Sequence, residues 1–136
     1  MKITEEIIRI FGSWTKLKIR LHVSEDKPVY FREKEIWWAN LGANIGYEQD
    51  GKNDNFERPV LILKKFNKDV LWTLPLTRTK KTNNKYYFQL KQGGEDSFVI
   101  LSQIRLISSK RLSRKMRMIE KEEFDEIKKR MIGFFT

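Results

Sequence analysis

Four side chains in this 136-residue chain have the types and positions to act on an anionic substrate: Glu48, Asp50, Arg58 and Thr77. Arg58 stands with Pro59 at the head of the apolar run Val60-Leu61-Ile62-Leu63, and Thr77 sits just beyond Pro75 at the end of Val70–Leu76. Glu48 and Asp50 lie between Gly42 and Asn55, a stretch rich in Gly, Asn and Asp. A guanidinium stays charged and offers a planar fork to anionic oxygens. A threonine hydroxyl can donate to one more oxygen, and a carboxylate can take up a proton. The chain has no Cys and one His, His22, which excludes disulfides, thiolate metal sites, Cys nucleophiles and His–His pairs. Without a convincing set of ligands, neither a metal nor a cofactor is expected. Each residue also has a plain structural reading. Arg58 could pair with Glu57 or cap its strand, Thr77 could simply end a strand, and Glu48 and Asp50 are common turn formers.

Three short strands must position these groups. Glu35–Leu41 alternates, with Ile36, Trp38 and Asn40 on one side and Trp37, Ala39 and Leu41 on the other. Both Trp37 and Trp38 read as core residues before they read as a base-stacking platform, although neighbours on a strand face opposite ways. The second strand opens at Arg58-Pro59, where Pro is tolerated because a first residue need not donate to the ladder. A turn at Asn67-Lys68-Asp69 leads to the third, Val70–Leu76. Beyond it come a polar loop Arg78–Lys85, a strand Tyr86–Leu90, a turn Gln92–Asp96 and one long strand Ser97–Ile107. The basic stretch Lys110–Arg117 is expected to hold a turn and a short strand Lys115–Ile119, followed by a helix Glu122–Phe135 with Phe124, Ile127 and Met131 on its apolar face. At the other end Ile3, Ile7, Ile10, Trp14, Leu17 and Leu21 are spaced for one helix face, capped by Thr4 and weakened at Gly12-Ser13. Ser24–Lys34 reads as a linker.

The formal charge of +10 points to a polyanionic or acidic partner. Apolar content of 40% is that of a globular protein rather than a disordered one. No apolar run approaches the roughly 18 residues that span a bilayer, and the N-terminus lacks a signal-peptide pattern, so a soluble, cytoplasmic protein without a membrane partner is expected.

The ordered motifs Gly46-Tyr47-Glu48-Gln49, Arg58-Pro59-Val60-Leu61-Ile62, Pro75-Leu76-Thr77, Ser102-Gln103-Ile104-Arg105-Leu106-Ile107 and Lys110-Arg111-Leu112 resemble the MazF/PemK (Kid) toxins of bacterial type II toxin–antitoxin modules. The resemblance divides the chain into a helical extension over residues 1–32 and a toxin-like domain over 33–136. It implies a mainly β fold, an SH3-like small β-barrel with a C-terminal helix, assembled as a homodimer. It further implies sequence-specific, metal-independent cleavage of single-stranded RNA that arrests growth, and silencing by a small acidic antitoxin protein. The family's catalytic Arg and Thr map onto Arg58 and Thr77, and Glu48 or Asp50 would serve as base. Gln49, Arg78, Lys80, Lys81, Gln103, Lys110 and Arg111 are the expected RNA contacts. In such cleavage the neighbouring 2′-hydroxyl attacks, so the protein must assist its deprotonation, stabilise the phosphorane and protonate the leaving 5′-oxygen. Two departures stand out: residues 52–56 look inserted, and Ile100 and Ser102 fall where some members carry Arg and Asp. They support a second reading, a barrel that binds RNA or protein without cutting. A third is an inhibitor of a protein target such as DNA gyrase.

Overall fold

The computed structural model describes residues 3–25, 28–79, 84–91 and 97–136. Helix α1 (Glu5–Val23) is followed by strands β1 (Glu35–Asn40), β2 (Glu57–Lys65), β3 (Val70–Thr77), β4 (Tyr87–Leu90), β5 (Ser97–Ile100) and β6 (Arg105–Ser108). A 3-10 turn (Ser109–Arg111), strand β7 (Leu112–Met118) and helix α2 (Lys121–Gly133) complete the chain. The strands form one antiparallel sheet in the order β4-β5-β3-β2-β1-β7, with β6 also paired to β3. Among the described residues β4 and β7 remain its two ends, so the sheet is open where a closed barrel is expected from the sequence.

Alternation along β1, β2 and β3 supplies two cores, one on each face of the sheet. Ile36, Leu61, Leu63 and Leu74 pack with Val99, Leu101 and the α2 residues Phe124, Ile127 and Met131. Trp37, Ala39, Val60, Ile62 and Leu71 pack on the opposite face with Phe31, Ile107 and Leu112. Trp37 is thus core, as expected, while Trp38 faces the other way and is half-buried.

The expected long strand over 97–107 is two strands. β5 pairs with β3 at Leu76↔Val99 and β6 pairs with the same strand at Thr73↔Arg105. Three steps along β3 therefore correspond to six along its neighbour, and the three extra residues are expelled as a turn. The turn buries Leu101 but frees Gln103 from the ladder. The turn expected at Gln92–Asp96 lies outside the described residues.

Helix α1 is capped as expected, with the Ile7 N–H donating to Thr4 Oγ1 at 3.2 Å. It runs unbroken through Gly12-Ser13, because one exposed glycine costs a helix only about 1 kcal/mol. Its inner stripe is held mainly through Trp14, the helix's one buried residue, while Ile3 is 81% exposed.

Candidate active site

Arg58 is second in β2, opposite Ala39 of β1, and only 9% exposed. Its Nε donates to the Asp50 carbonyl at 2.6 Å, and its Nη1 donates to the Leu76 carbonyl at 2.9 Å. The side chain therefore ties the loop after β1 to the end of β3. Burial pulls the guanidinium pKa down, and the Asp50 carboxylate pushes back. Nη2 has no hydrogen bond among the described residues, yet no buried side-chain polar atom there is left unpaired. Nη2 must therefore reach the surface. Arg58 lines a cavity of about 380 Å³ whose wall includes Trp38, Lys52, Thr77, Arg78 and Arg117. The end of the guanidinium, rather than its Nε edge, is what remains for an anion.

The structure brings Thr77 and Arg78 into that cavity with Arg58. Thr77 Oγ1 accepts from the Thr79 N–H at 3.2 Å, which fixes the hydroxyl and leaves its proton to donate. The carboxylate on this wall is Glu57. It is 5% exposed and holds Ser113 Oγ at 2.6 Å and Arg114 Nη1 at 3.0 Å, so it is spent on β7. Arg117, Lys52 and Trp38 also line this cavity; Lys52 was not singled out from sequence, and Trp38 was read as core before a base-stacking platform. The signal available for Trp38 was its neighbour, since Trp37 must take the core side. The Arg114 guanidinium lies 4.7 Å from the centre of the Trp38 ring.

Glu48 is elsewhere. It lines a separate cavity of about 230 Å³ with Gln49, Gln103 and Arg105. Its Oε1 accepts from the Ile45 N–H at 3.0 Å, the turn-forming role, and its charge acts on Arg105. Asp50 is the carboxylate that acts on Arg58, although its Oδ1 accepts from the Asn44 N–H at 2.6 Å. Gln103 bridges the expelled turn to this loop: Nε2 donates to the Tyr47 carbonyl at 3.1 Å, and Oε1 accepts from the Gln49 N–H at 3.4 Å. Gln49 and Gln103 thus come together with Glu48, outside the Arg58 cavity. Arg105, whose Nη1 donates to the Leu41 carbonyl at 3.2 Å, completes this wall and was not singled out from sequence.

The loop itself is closed by tight backbone contacts. The Phe56 carbonyl accepts from both Leu41 N–H and Gly42 N–H, at 2.9 and 3.2 Å, with Phe56 held at φ 52°. Gly51 N–H donates to the Gly42 carbonyl at 2.8 Å, and a Cβ on Gly51 would lie 1.6 Å from the Phe56 oxygen. Residues 52–56, which look inserted, form a turn clipped by the Lys52↔Glu57 bridge.

Lys110 and Arg111 are not brought to Arg58. They follow β6 and face α1: Lys110 Nζ donates to the His22 carbonyl of that helix at 2.7 Å, while Arg111 Nη1 donates to the Asn40 carbonyl at the end of β1 at 3.0 Å. Lys80 and Lys81 lie outside the described residues. Ile100 is buried and Ser102 is in the expelled turn, so neither reaches the Arg58 cavity. Among the described residues no three His, Asp or Glu side chains gather as metal ligands, and no helix is long and apolar enough to cross a membrane.

No curated protein matches the chain by sequence. Its fold is similar to that of MazF from Deinococcus radiodurans, with a TM-score of 0.62 at 15% identity, covering 79% of this chain and 98% of that one. The Mycobacterium tuberculosis toxin MazF-mt6 aligns with a TM-score of 0.57 at 17% identity, over 74% of this chain and 95% of that one. An endoribonuclease from a mycobacterial species aligns with a TM-score of 0.58 at 10% identity, over 82% and 95%. At these identities the likeness is one of fold. Residues 32–135, from just before β1 to beyond α2, match the family of PemK-like, MazF-like toxins of type II toxin–antitoxin systems, and the chain belongs to that family.

Proposed function

We propose that the protein is a metal-independent endoribonuclease toxin that cuts single-stranded RNA at the Arg58–Thr77 cavity. The observation that carries this reading is the fixed guanidinium: two backbone carbonyls lock the plane of Arg58 and leave its Nη end facing a cavity that Thr77 and Arg78 also line. A donor held before the substrate arrives costs no reorganisation as charge develops on the phosphorane, which is how such groups lower barriers. Thr77 would donate to a second non-bridging oxygen. Of the two acids expected from sequence, neither lines that cavity; Asp50, whose charge acts on Arg58 from outside it, is the better candidate for the base. Lys52, Arg78 and Arg117 would follow the RNA backbone. In the cell the partner would be a small acidic antitoxin laid across the same cavity, so that RNA and antitoxin compete, and the active form would be a homodimer.

The reading is tested by incubating the purified chain with a long RNA in EDTA. Products with a 5′-hydroxyl and a 2′,3′-cyclic phosphate are expected, and an all-deoxy strand should stay intact. Loss of cutting in EDTA, or cutting of the deoxy strand, would refute the mechanism. One observation favours a second reading, a barrel that binds without cleaving: the carboxylate on the cavity wall, Glu57, is already held by Ser113 and Arg114. RNA that binds at the Arg58 cavity and emerges uncut would select it.

A further inference from the structure

We propose that the cleft between α1 and the 3-10 turn is a docking site for an acidic protein segment that carries one large apolar side chain. The cleft is a cavity of about 330 Å³, with Ile19 and Leu21 as its apolar wall and Lys18, His22, Lys110 and Arg111 as its polar lining. Among the described residues no carboxylate lines it. One wall is α1, which lies outside the family match, so this cleft is built by the extension and is distinct from the Arg58 cavity.

Charge sets the partner's sign. Arg111 donates only to the carbonyls of Asn40 and Leu41, at 3.0 and 3.4 Å, and has no carboxylate partner among the described residues. Burial, followed by the neighbouring Arg105 charge, depresses its pKa to about 10. A guanidinium held among other cations and short of counter-charge favours an incoming anion. On α1 the acids sit in the first turn, where Glu6 is taken by Arg9 at 2.6 Å, while Lys16, Lys18 and Arg20 mark the end that forms the cleft.

Shape selects a peptide over RNA. Single-stranded RNA is gripped by stacking bases on open aromatic faces. The aromatic ring here, Trp14, is 6% exposed. Gly42 packs against its indole and the Arg111 guanidinium lies 5.5 Å from the ring centre. What remains open is aliphatic: Ile19 is 58% exposed, and Val23, one turn on, is 64% exposed. An isolated apolar anchor flanked by carboxylates matches that surface, as in the docking of amphipathic segments into grooves.

This proposal does not rest on RNA cleavage. The test is selection of a phage-displayed library of random short peptides on the immobilised full chain. Enriched peptides should carry several Asp or Glu residues around one Leu, Ile, Met or Phe. Lys18 and Ile19 are exposed, so Lys18→Glu and Ile19→Asp should leave the circular dichroism spectrum unchanged. Each should weaken the selected peptides about tenfold, and Arg58→Ala should leave them bound. No enrichment, enrichment of neutral or basic peptides, or binding indifferent to Lys18→Glu and Ile19→Asp would each overturn the proposal. So would a poly-uridine strand that displaces the peptides from wild type but not from Lys18→Glu, since it would assign the cleft to RNA.

Discussion

At the residue scale the decisive feature is that Arg58 spends two nitrogens on structure and leaves the third for the substrate contact we propose. Nε and Nη1 hold the carbonyls of Asp50 and Leu76, and Nη2 remains for an anion. Arg58→Ala should therefore lower single-turnover cleavage by about 10²–10³. It should also lower the melting temperature, because two carbonyls lose a charged donor at about 1–3 kcal/mol each. Arg58→Lys should recover little, since an ammonium cannot hold both carbonyls and still face the cavity. Cutting at the wild-type rate by folded Arg58→Ala would remove Arg58 from the chemistry. Thr77→Ala loses one hydrogen bond to the substrate and should slow cleavage about tenfold without a comparable loss of stability. That Arg58 and Thr77 would come together was legible in the sequence because motif order carried them. The separation of Glu48 from Arg58 was not. It depends on which way successive loop residues turn, and that is decided by the Phe56 carbonyl, the Gly42–Gly51 contact and the Gln103 bridge, all between residues distant in sequence.

At the element scale, alternation found β1, β2 and β3 because each buries both faces in apolar packing. It failed at 97–107, where an unbroken apolar pattern hides a three-residue change of register against β3. Periodicity also found α1 but overstated its packing. The helix is anchored on the sheet domain chiefly where Trp14 meets Gly42, which has φ +88° and whose added Cβ would fall 2.1 Å from the indole, and Phe56 at 5.6 Å. Most of the stability of a helix such as this one comes from packing of its apolar face rather than from propensity. Trp14→Ala should thus raise hydrogen exchange through α1 by at least about tenfold while β2 and β3 amides keep their protection. Uniform exposure of the whole domain would show that α1 is part of the core unit instead. A second element-level device joins β1 to β7: Glu35 accepts from the Arg32 N–H and the Trp37 Nε1 at 2.8 and 3.0 Å and pairs with Lys115 at 2.8 Å. Burial raises this carboxyl's pKa, but Lys115, Trp37 and Arg32 together bring it below its ordinary value. A depressed folded pKa stabilises above the unfolded value, about 4.3, and that contribution disappears as pH falls through the folded pKa. Glu35→Gln should cost about 1–2 kcal/mol at neutral pH and flatten the loss of stability below pH ~4. Denaturant titrations at a series of pH values would detect it, and parallel curves for the two proteins would contradict the assignment.

At the scale of the whole molecule, two surfaces of opposite character remain. Near Arg58 the cavity wall carries Lys52, Arg78 and Arg117, in a chain of net charge +10. Against α2 and β6 lies an apolar groove of about 530 Å³, where Leu106 is 56%, Ile132 67% and Phe135 90% exposed. A contiguous apolar surface of this kind marks an interface. We propose a second copy as its occupant, packed on these apolar walls beside the groove's three cations, Lys64, Arg105 and Lys128. The two associations must then respond to salt in opposite directions. Two chains of +10 repel at long range, so dimerisation through the groove should tighten as screening shortens that repulsion to roughly 8 Å near physiological strength. RNA and an acidic antitoxin, drawn by the same charge, should bind more weakly over the same range. Sedimentation at micromolar concentration across a salt series should show a dimer that strengthens with salt, and Leu106→Glu or Ile132→Asp should return it to monomer. Both substituted side chains are exposed in the single chain, so loss of the dimer would not reflect loss of the fold. A chain that stays monomeric in physiological salt, or a dimer that falls apart as salt rises, would place the interface on a charged surface and leave this groove without its second copy.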